Sequence, residues 1–171
     1  CIGEGDTVVV VGAGPLGLIN LFVARHFGAR KLILAQRPGK RLKQAQAFDC
    51  DRLVDTGKED LRQVVLEETG GLGADCAIVA APSAEAQAQA PALVRKRGTV
   101  CLFASLPAGS NLLSMDSRTI HYNEIRIVGS SDSTAQQVKK ALAILSQPEF
   151  PKEKLVSHQL GLQDFARAFQ M

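Results

Sequence analysis

Four helix-breaking residues interrupt a long uncharged stretch near the start of the chain. Residues 7–24 carry no charged side chain, and an apolar stretch of that length resembles a membrane-spanning segment. The breakers lie in its middle, at Gly12, Gly14, Pro15 and Gly17. Such residues disfavour one continuous helix. The stretch is therefore predicted to form a strand, a tight turn and a helix, and we expect no membrane span here.

The run GAGPLG at residues 12–17 has the spacing G-x-G-x-x-G between a predicted strand and a predicted helix. In that setting Gly12 permits the tight turn, Gly14 lets the backbone approach a pyrophosphate, and Gly17 lets the helix pack closely on the strand. Pro15 and Leu16 open the helix, whose free N–H groups and dipole would face the phosphates. The turn predicts a dinucleotide site. The alternative is a plain strand–helix turn.

Short β-branched runs alternate with longer helical patterns along the rest of the chain. We predict strands at 7–11, 31–35, 52–54, 76–80, 99–103 and 124–128, with a short extra strand at 112–113. Helices are predicted at 16–27, 40–48, 60–69, 82–94 and 133–145, and the tail from 154 holds a strand-like piece and the start of another helix. The pattern predicts one domain over residues 1–171. Its fold is α/β of the Rossmann type, a doubly wound, six-stranded parallel sheet with helices on both faces.

The end of the second predicted strand bears on which dinucleotide is bound. NAD-binding domains place an acidic residue about twenty residues beyond the glycine turn, where it holds the ribose 2′-hydroxyl. Gln36 and Arg37 stand at that distance here. Without a carboxylate nothing repels a 2′-phosphate, and Arg37, Lys40 or Arg41 could pair with one. We expect NAD or NADP, with NADP slightly favoured. The alternative is that these cations are simply solvent-exposed side chains at the start of a helix.

Charge and cysteine content narrow the remaining classes of protein. A formal net charge of +3 is too small to argue for nucleic acid or an anionic membrane as a partner. The four cysteines, at positions 1, 50, 76 and 101, form no C-x-x-C pair. Their spacing disfavours a structural zinc site and favours a reducing compartment, so we expect a cytoplasmic protein. The three histidines show no metal-ligand spacing, and we interpret them as structural.

Three runs together resemble the cofactor-binding domain of the medium-chain, zinc-dependent alcohol and polyol dehydrogenases, of the sorbitol dehydrogenase type. They are GDTVVVVGAGPLG at 5–17, GGLGAD at 70–75 and the stretch 120–130, which contains IHYNE and IVGS. The resemblance covers nearly the whole chain. It implies hydride transfer between an alcohol or polyol and a nicotinamide cofactor in a longer enzyme.

The resemblance also implies contacts of individual residues with the cofactor. Phe103, Ala104 and Ser105 would lie beside the nicotinamide, and Gly129, Ser130 and Ser131 would line the other side of that pocket. Ala80 and Ala81 fall where the family passes the adenine ribose. The chain departs from the family there, since it has Ala-Ala-Pro where Cys-Thr-Gly is common. Simple packing of Ala80 and Ala81 is the alternative.

In the family the catalytic zinc belongs to a separate domain, and we expect that domain to be absent from these residues. The chain is accordingly expected to be an excised domain that binds cofactor but does not catalyse. The family also pairs the edge at Leu112–Ser114 with its copy in a homodimer; a loop folded over the sheet edge is the alternative. A non-catalytic nucleotide-sensing module is the second functional hypothesis. A methyltransferase is disfavoured, because Gln36 replaces the acidic residue that such enzymes generally need.

Overall fold

The computed structural model describes residues 2–171. Residues up to Asp132 form one compact unit and Ser133–Met171 a second. In the first unit, six parallel strands form a single sheet in the order β3-β2-β1-β4-β5-β6. The strands are β1 (Thr7–Val11), β2 (Lys31–Gln36), β3 (Arg52–Asp55), β4 (Ala74–Val79), β5 (Val94–Leu102) and β6 (Arg126–Gly129). The predicted α/β fold with a doubly wound parallel sheet is confirmed.

Five helices accompany this sheet in the first unit: α1 (Pro15–His26), α2 (Lys40–Ala45), α3 (Leu61–Glu68), α4 (Ala84–Gln89) and α5 (Ser117–Tyr122). Side chains alternate between the two faces of a strand. One face of the central strands, including Val9 and Ile33, packs in a buried cluster with Val64 and Val65 of α3. On β1 and β2, the opposite face includes Val8 and Leu32, and α1 contacts both of these strands. Helices therefore cover both faces, as predicted.

Burial is deepest at the centre of the sheet and lowest at one edge. Val8, Val9 and Val10 of β1 are fully buried, which explains the continuous apolar run in the sequence. Strand β6, in contrast, is mostly exposed. The most deeply buried part of the sheet is therefore β1 with its two neighbours, β2 and β4.

Several predicted boundaries differ from the structure. The helix expected over 82–94 is α4 followed by a 3₁₀ turn (Ala90–Leu93), because Pro91 lacks the N–H that would continue the helix. Strand β5 begins at Val94 rather than at 99. The extra strand at 112–113 is wrong: in the described part of the chain, residues 112–114 have no strand assignment and form no backbone hydrogen bond. Nor do residues 154–171 contain the strand-like piece that was expected.

The second unit is helical. It contains α6 (Ala135–Leu145), α7 (Lys152–Leu155), a 3₁₀ turn (Leu162–Asp164) and α8 (Phe165–Ala168). Helix α6 begins with a capping box, in which the Thr134 side chain accepts the Gln137 N–H and the Gln137 side chain accepts the Thr134 N–H. Among residues 2–171, no helix has the length and apolar character required to cross a bilayer. The boundary of a single domain at 1–171 stays a prediction.

Candidate functional site

The turn between β1 and α1 can be built only with glycine at two of its positions. Gly12 has φ +105°, a conformation that strains residues with a side chain. At Gly17, a Cβ atom would lie 1.8 Å from the carbonyl oxygen of Gly12, so the first turn of α1 sits directly against the end of β1. The glycine pattern read from the sequence therefore has a steric cause at both positions.

Helix α1 starts with unpaired backbone donors. Gly14 is its N-cap and has no capping side chain, and Pro15 occupies the first turn. The first N–H groups of a helix lack intrahelical partners. Within residues 2–171, the N–H groups of Leu16 and Gly17 make no hydrogen bond. Together with the helix dipole, these donors form a place that favours an anion.

This turn lies at the point where the strand order reverses. From β1 the chain continues to β2 on one side, whereas β4 lies on the other side. The carboxyl ends of β1 and β4 are joined by a hydrogen bond from Ala80 N–H to Val11 O (2.9 Å). In open α/β sheets, ligands bind in the crevice at such a switch point.

A groove of about 730 Å³ opens at this point. Of the residues proposed from the sequence, its walls include Gly12, Gly14, Gln36, Arg37, Arg41, Ala80 and Ala81. Those that do not line it are Pro15, Leu16, Gly17, Phe103, Ala104, Ser105, Gly129, Ser130 and Ser131. The structure thus brings the turn, the end of β2 and the end of β4 together around one groove.

Gln36, the last residue of β2, reaches across to the glycine turn. Its Oε1 accepts the N–H of Ala13 at 2.7 Å, and its Nε2 donates to the carbonyl oxygen of Arg37 at 3.2 Å. One residue earlier, the carbonyl oxygen of Ala35 accepts the N–H of Gly12 at 2.8 Å. The end of β2 therefore holds two consecutive N–H groups of the turn.

Two arginine side chains at the groove have no partner in the described part of the chain. Arg37 and Arg41 are exposed, and neither guanidinium forms an ion pair or a hydrogen bond among residues 2–171. The Nη1 atom of Arg41 lies 3.7 Å from where a Cβ atom of Gly14 would stand. The three carboxylates that line the groove have other partners: Glu59 pairs with Arg52, Asp60 accepts the N–H of Gln63, and Glu85 accepts the side-chain amide of Gln89. These two cations therefore remain available to an anion.

The residues expected beside the nicotinamide lie at or just after the carboxyl ends of β5 and β6. The N–H groups of Phe103 and Ala104 both donate to Val79 O, at 3.1 and 3.0 Å, which ties the end of β5 to that of β4. Gly129 is in register with Leu102 of β5, and exposed Ser130 and Ser131 follow it. All lie at the carboxyl edge of the sheet, as parallel pairing requires.

Sequence reasoning missed Gln87. This residue of α4 is 3% exposed, and its Nε2 donates to the carbonyl oxygen of Ala104 at 2.7 Å. This hydrogen bond therefore holds the segment that follows β5 against α4. Gln87 and Gln89 stand in the same Ala/Gln-rich run, so only the helix phase could have distinguished the buried one.

The described residues do not fit a zinc centre. Among residues 2–171, no three His, Cys, Asp or Glu side chains come together to hold a metal ion. Burial raises the pKa of the Cys76 thiol to about 11, with Cys101 adding to the effect, and burial also raises the pKa of Cys50 and of Cys101. A thiol whose pKa is raised as far as that of Cys76 is a poor metal ligand and a poor nucleophile, since both roles need the thiolate.

A second, more open notch of about 490 Å³ is lined by Arg95, Arg97, Glu124 and Arg126. It lies at the amino ends of β5 and β6, away from the glycine turn. Two of its arginines already have acidic partners, Arg95 with Asp75 and Arg97 with Glu124. We do not assign it to the site at the switch point.

A doubly wound parallel sheet with a glycine turn at its switch point defines the Rossmann class of α/β domains. Comparison with known proteins gives the family. Residues 15–147 match the family model of the zinc-binding dehydrogenases. The chain belongs to the zinc-binding dehydrogenase family.

Individual relatives agree with this assignment. The chain is 31% identical to a sorbitol dehydrogenase of Halalkalibacterium halodurans over 98% of its own length and 49% of that protein. It is 30% identical to a D-arabitol-phosphate dehydrogenase of Enterococcus avium, over 96% and 46% of the two chains. Among solved structures, the alcohol dehydrogenase TADH from Thermus sp. ATN1 superposes with a TM-score of 0.85 at 26% identity, over 98% and 48%. The chain thus spans about half the length of the curated relatives it matches.

Proposed function

We propose that the chain binds a nicotinamide dinucleotide in the groove at the switch point. One observation carries the proposal: the unpaired N–H groups of Leu16 and Gly17 stand at a helix start that only glycine geometry allows, beside a groove of about 730 Å³. The pyrophosphate would accept these N–H groups, which the helix dipole reinforces. Gly14 gives the phosphates close access to the backbone.

The two ends of the cofactor would lie on either side of this contact. We assign the adenosine end to Gln36, Arg37, Arg41, Ala80 and Ala81, because these residues line the groove. We assign the nicotinamide end to two carboxyl-edge segments, residues 103–105 and 129–131. Bonds from Phe103 and Ala104 to Val79 O and from Gln87 to Ala104 O hold the first segment.

The reaction we propose is the oxidation of an alcohol or polyol by a longer enzyme of which this chain is the dinucleotide-binding domain. The bound cofactor would supply the hydride acceptor. Support comes from family membership and from relatives named for sorbitol and for D-arabitol phosphate. Residues 2–171 offer no cluster of metal ligands, so we place the zinc in other parts of that enzyme.

Within this proposal, NADP is favoured over NAD. No carboxylate stands at the end of β2 to accept a ribose 2′-hydroxyl or to repel a 2′-phosphate. Arg37 and Arg41 are exposed, without partners among residues 2–171, and they line the groove. An arginine fork pairs with phosphate through two parallel hydrogen bonds, which a hydroxyl cannot reproduce.

Titration with NADH and NADPH, followed by the fluorescence of the reduced nicotinamide, tests both the proposed binding of a dinucleotide and the proposed preference for NADP. The chain contains no Trp, so little protein emission interferes. We expect saturable binding of both cofactors, tighter for NADPH, and Arg41→Ala should remove most of that preference. Arg97→Ala, at the distant notch, is the matched control for loss of one positive charge and should change neither affinity. Absence of saturable binding would contradict the proposal, and equal affinities would contradict the preference for NADP.

We further propose that two copies associate along residues 112–114. Leu112 is 91% exposed, and residues 112–114 have no backbone partner among residues 2–171. Exposed, unpaired backbone of this kind invites association with a second copy. Sedimentation at several protein concentrations should show a dimer that Leu112→Glu weakens and Leu72→Glu does not; a strict monomer would contradict the proposal.

A cytoplasmic location is proposed on the state of the thiols. Cys50, Cys76 and Cys101 are all unpaired in the structure. Unpaired cysteines are typical of reducing compartments.

A further inference from the structure

The end of β2 holds the glycine turn by two consecutive hydrogen bonds. The first, from Gly12 N–H to Ala35 O, joins main chain to main chain. The second, from Ala13 N–H to Gln36 Oε1 at 2.7 Å, depends on a side chain. Only this second bond can therefore be changed by a substitution in β2.

The donor in that second bond is buried. Ala13 is 2% exposed, and its N–H has no other partner among residues 2–171. A buried N–H that loses its acceptor carries the full cost of its desolvation. Without Gln36 Oε1, the free energy of the turn would be lower if Ala13 moved toward water. The N–H groups of Leu16 and Gly17 would then lose their fixed direction.

The amide of Gln36 is anchored at both of its ends. While Oε1 accepts from Ala13, Nε2 donates to the carbonyl oxygen of Arg37 at 3.2 Å. The side chain is therefore oriented along the turn and held there. This is a different task from the one that an acidic residue performs on a ribose hydroxyl.

We propose that Gln36 is a positioning residue, which fixes the glycine turn through Ala13 and leaves the choice between the two cofactors to Arg37 and Arg41. The part that concerns cofactor affinity rests on the proposed function. The part that concerns the order of the turn does not, because it can be measured on the chain without ligand.

Two substitutions of similar size separate positioning from charge. Gln36→Met keeps the length of the side chain but offers no comparable acceptor. Gln36→Glu keeps the acceptor for the Ala13 N–H, loses the donor to the Arg37 carbonyl oxygen and adds a negative charge. The readouts are hydrogen exchange at the Ala13 amide in the ligand-free chain and the affinities for NADH and NADPH.

With Gln36→Met, we expect exchange at Ala13 to speed up about tenfold or more, and both affinities to fall by a similar factor of about five to ten. With Gln36→Glu, exchange at Ala13 should speed up much less than in Gln36→Met, because the acceptor for the Ala13 N–H is kept. The affinity for NADPH should fall more than that for NADH, since the new charge repels a 2′-phosphate.

Wild-type exchange at Ala13 and unchanged affinities in Gln36→Met would overturn the inference. So would a loss of affinity for NADPH alone in Gln36→Met, because that would make Gln36 a ligand of the 2′-phosphate. If the wild-type chain bound neither cofactor, the proposed function would fail, while hydrogen exchange would still decide whether Gln36 holds the turn.

Discussion

Gly17 shows how strongly a single missing methyl group can determine a fold. Its α-carbon lies so close to the end of β1 that an added Cβ would approach the Gly12 carbonyl oxygen to 1.8 Å. That neighbour is backbone in the turn itself, so it cannot rotate away as a side chain could. Helix α1 can therefore sit against β1 only with glycine at this position.

We predict that Gly17→Ala destabilises the chain by about 3 kcal/mol or more, since the overlap exceeds what ordinary overpacking produces. Urea unfolding would measure the loss. Gly3→Ala is the matched control: its Cβ would meet nothing closer than 3.6 Å, and the free energy of unfolding should change by less than about 0.5 kcal/mol. A Gly17→Ala variant as stable as the wild type would mean that the turn can relax.

At the scale of elements, α4 is linked to the end of β5 by one side chain. The Gln87 amide lies in the interior and donates to Ala104 O. Helix α4 has six residues, too few to be stable by itself, so its position depends on such tertiary contacts.

Replacing Gln87 with Leu should lower the free energy of unfolding by about 1–2 kcal/mol, because the carbonyl oxygen of Ala104 loses its donor. Gln89→Leu is a control on the same helix, since its exposed amide bonds only to the Glu85 side chain. That change should cost less than about 0.5 kcal/mol. Equal effects of the two substitutions in thermal or urea unfolding would refute the structural role of Gln87.

The elements also show what the sequence could predict. Strands β1, β2 and β4 could be predicted from the sequence, because burial on both faces of a strand selects apolar and mostly branched residues. The segment at 112–113 looked similar, but two leucines do not make a strand without a neighbouring strand to pair with. At the site, the glycines could be predicted from the G-x-G-x-x-G spacing, and the cations from their distance beyond that turn. The contacts of Gln36 with Ala13 and of Gln87 with Ala104 were not, since they join residues 23 and 17 positions apart.

At the scale of the whole molecule, the sheet buries Cys76 more deeply than Cys50 and Cys101, the other two cysteines among residues 2–171. Cys76 lies on β4 between β1 and β5 and is fully buried, whereas Cys50 is only partly buried. Burial raises the pKa of Cys76 from 9.0 to about 11. At pH 8 the native thiol would therefore be ionised in about one molecule in a thousand.

Iodoacetamide at pH 8 should label Cys50 in native buffer and should reach Cys76 only when the sheet opens. Labelling of Cys76, followed by mass spectrometry across a urea series, should then track global unfolding. Comparable rates at Cys76 and Cys50 without denaturant would show that β4 opens locally.

The unpaired donors at the start of α1 have a consequence for how this chain can diverge. They are main-chain groups, so no side chain has to be preserved for them to exist. The exposed side chain at position 16 can therefore be replaced without removing its donor, provided that proline is avoided. Substitution is not tolerated in the same way at positions 12 and 17, where an added Cβ atom would displace the backbone. The feature that must be preserved here is the path of the main chain, and only a few sequences are compatible with that path.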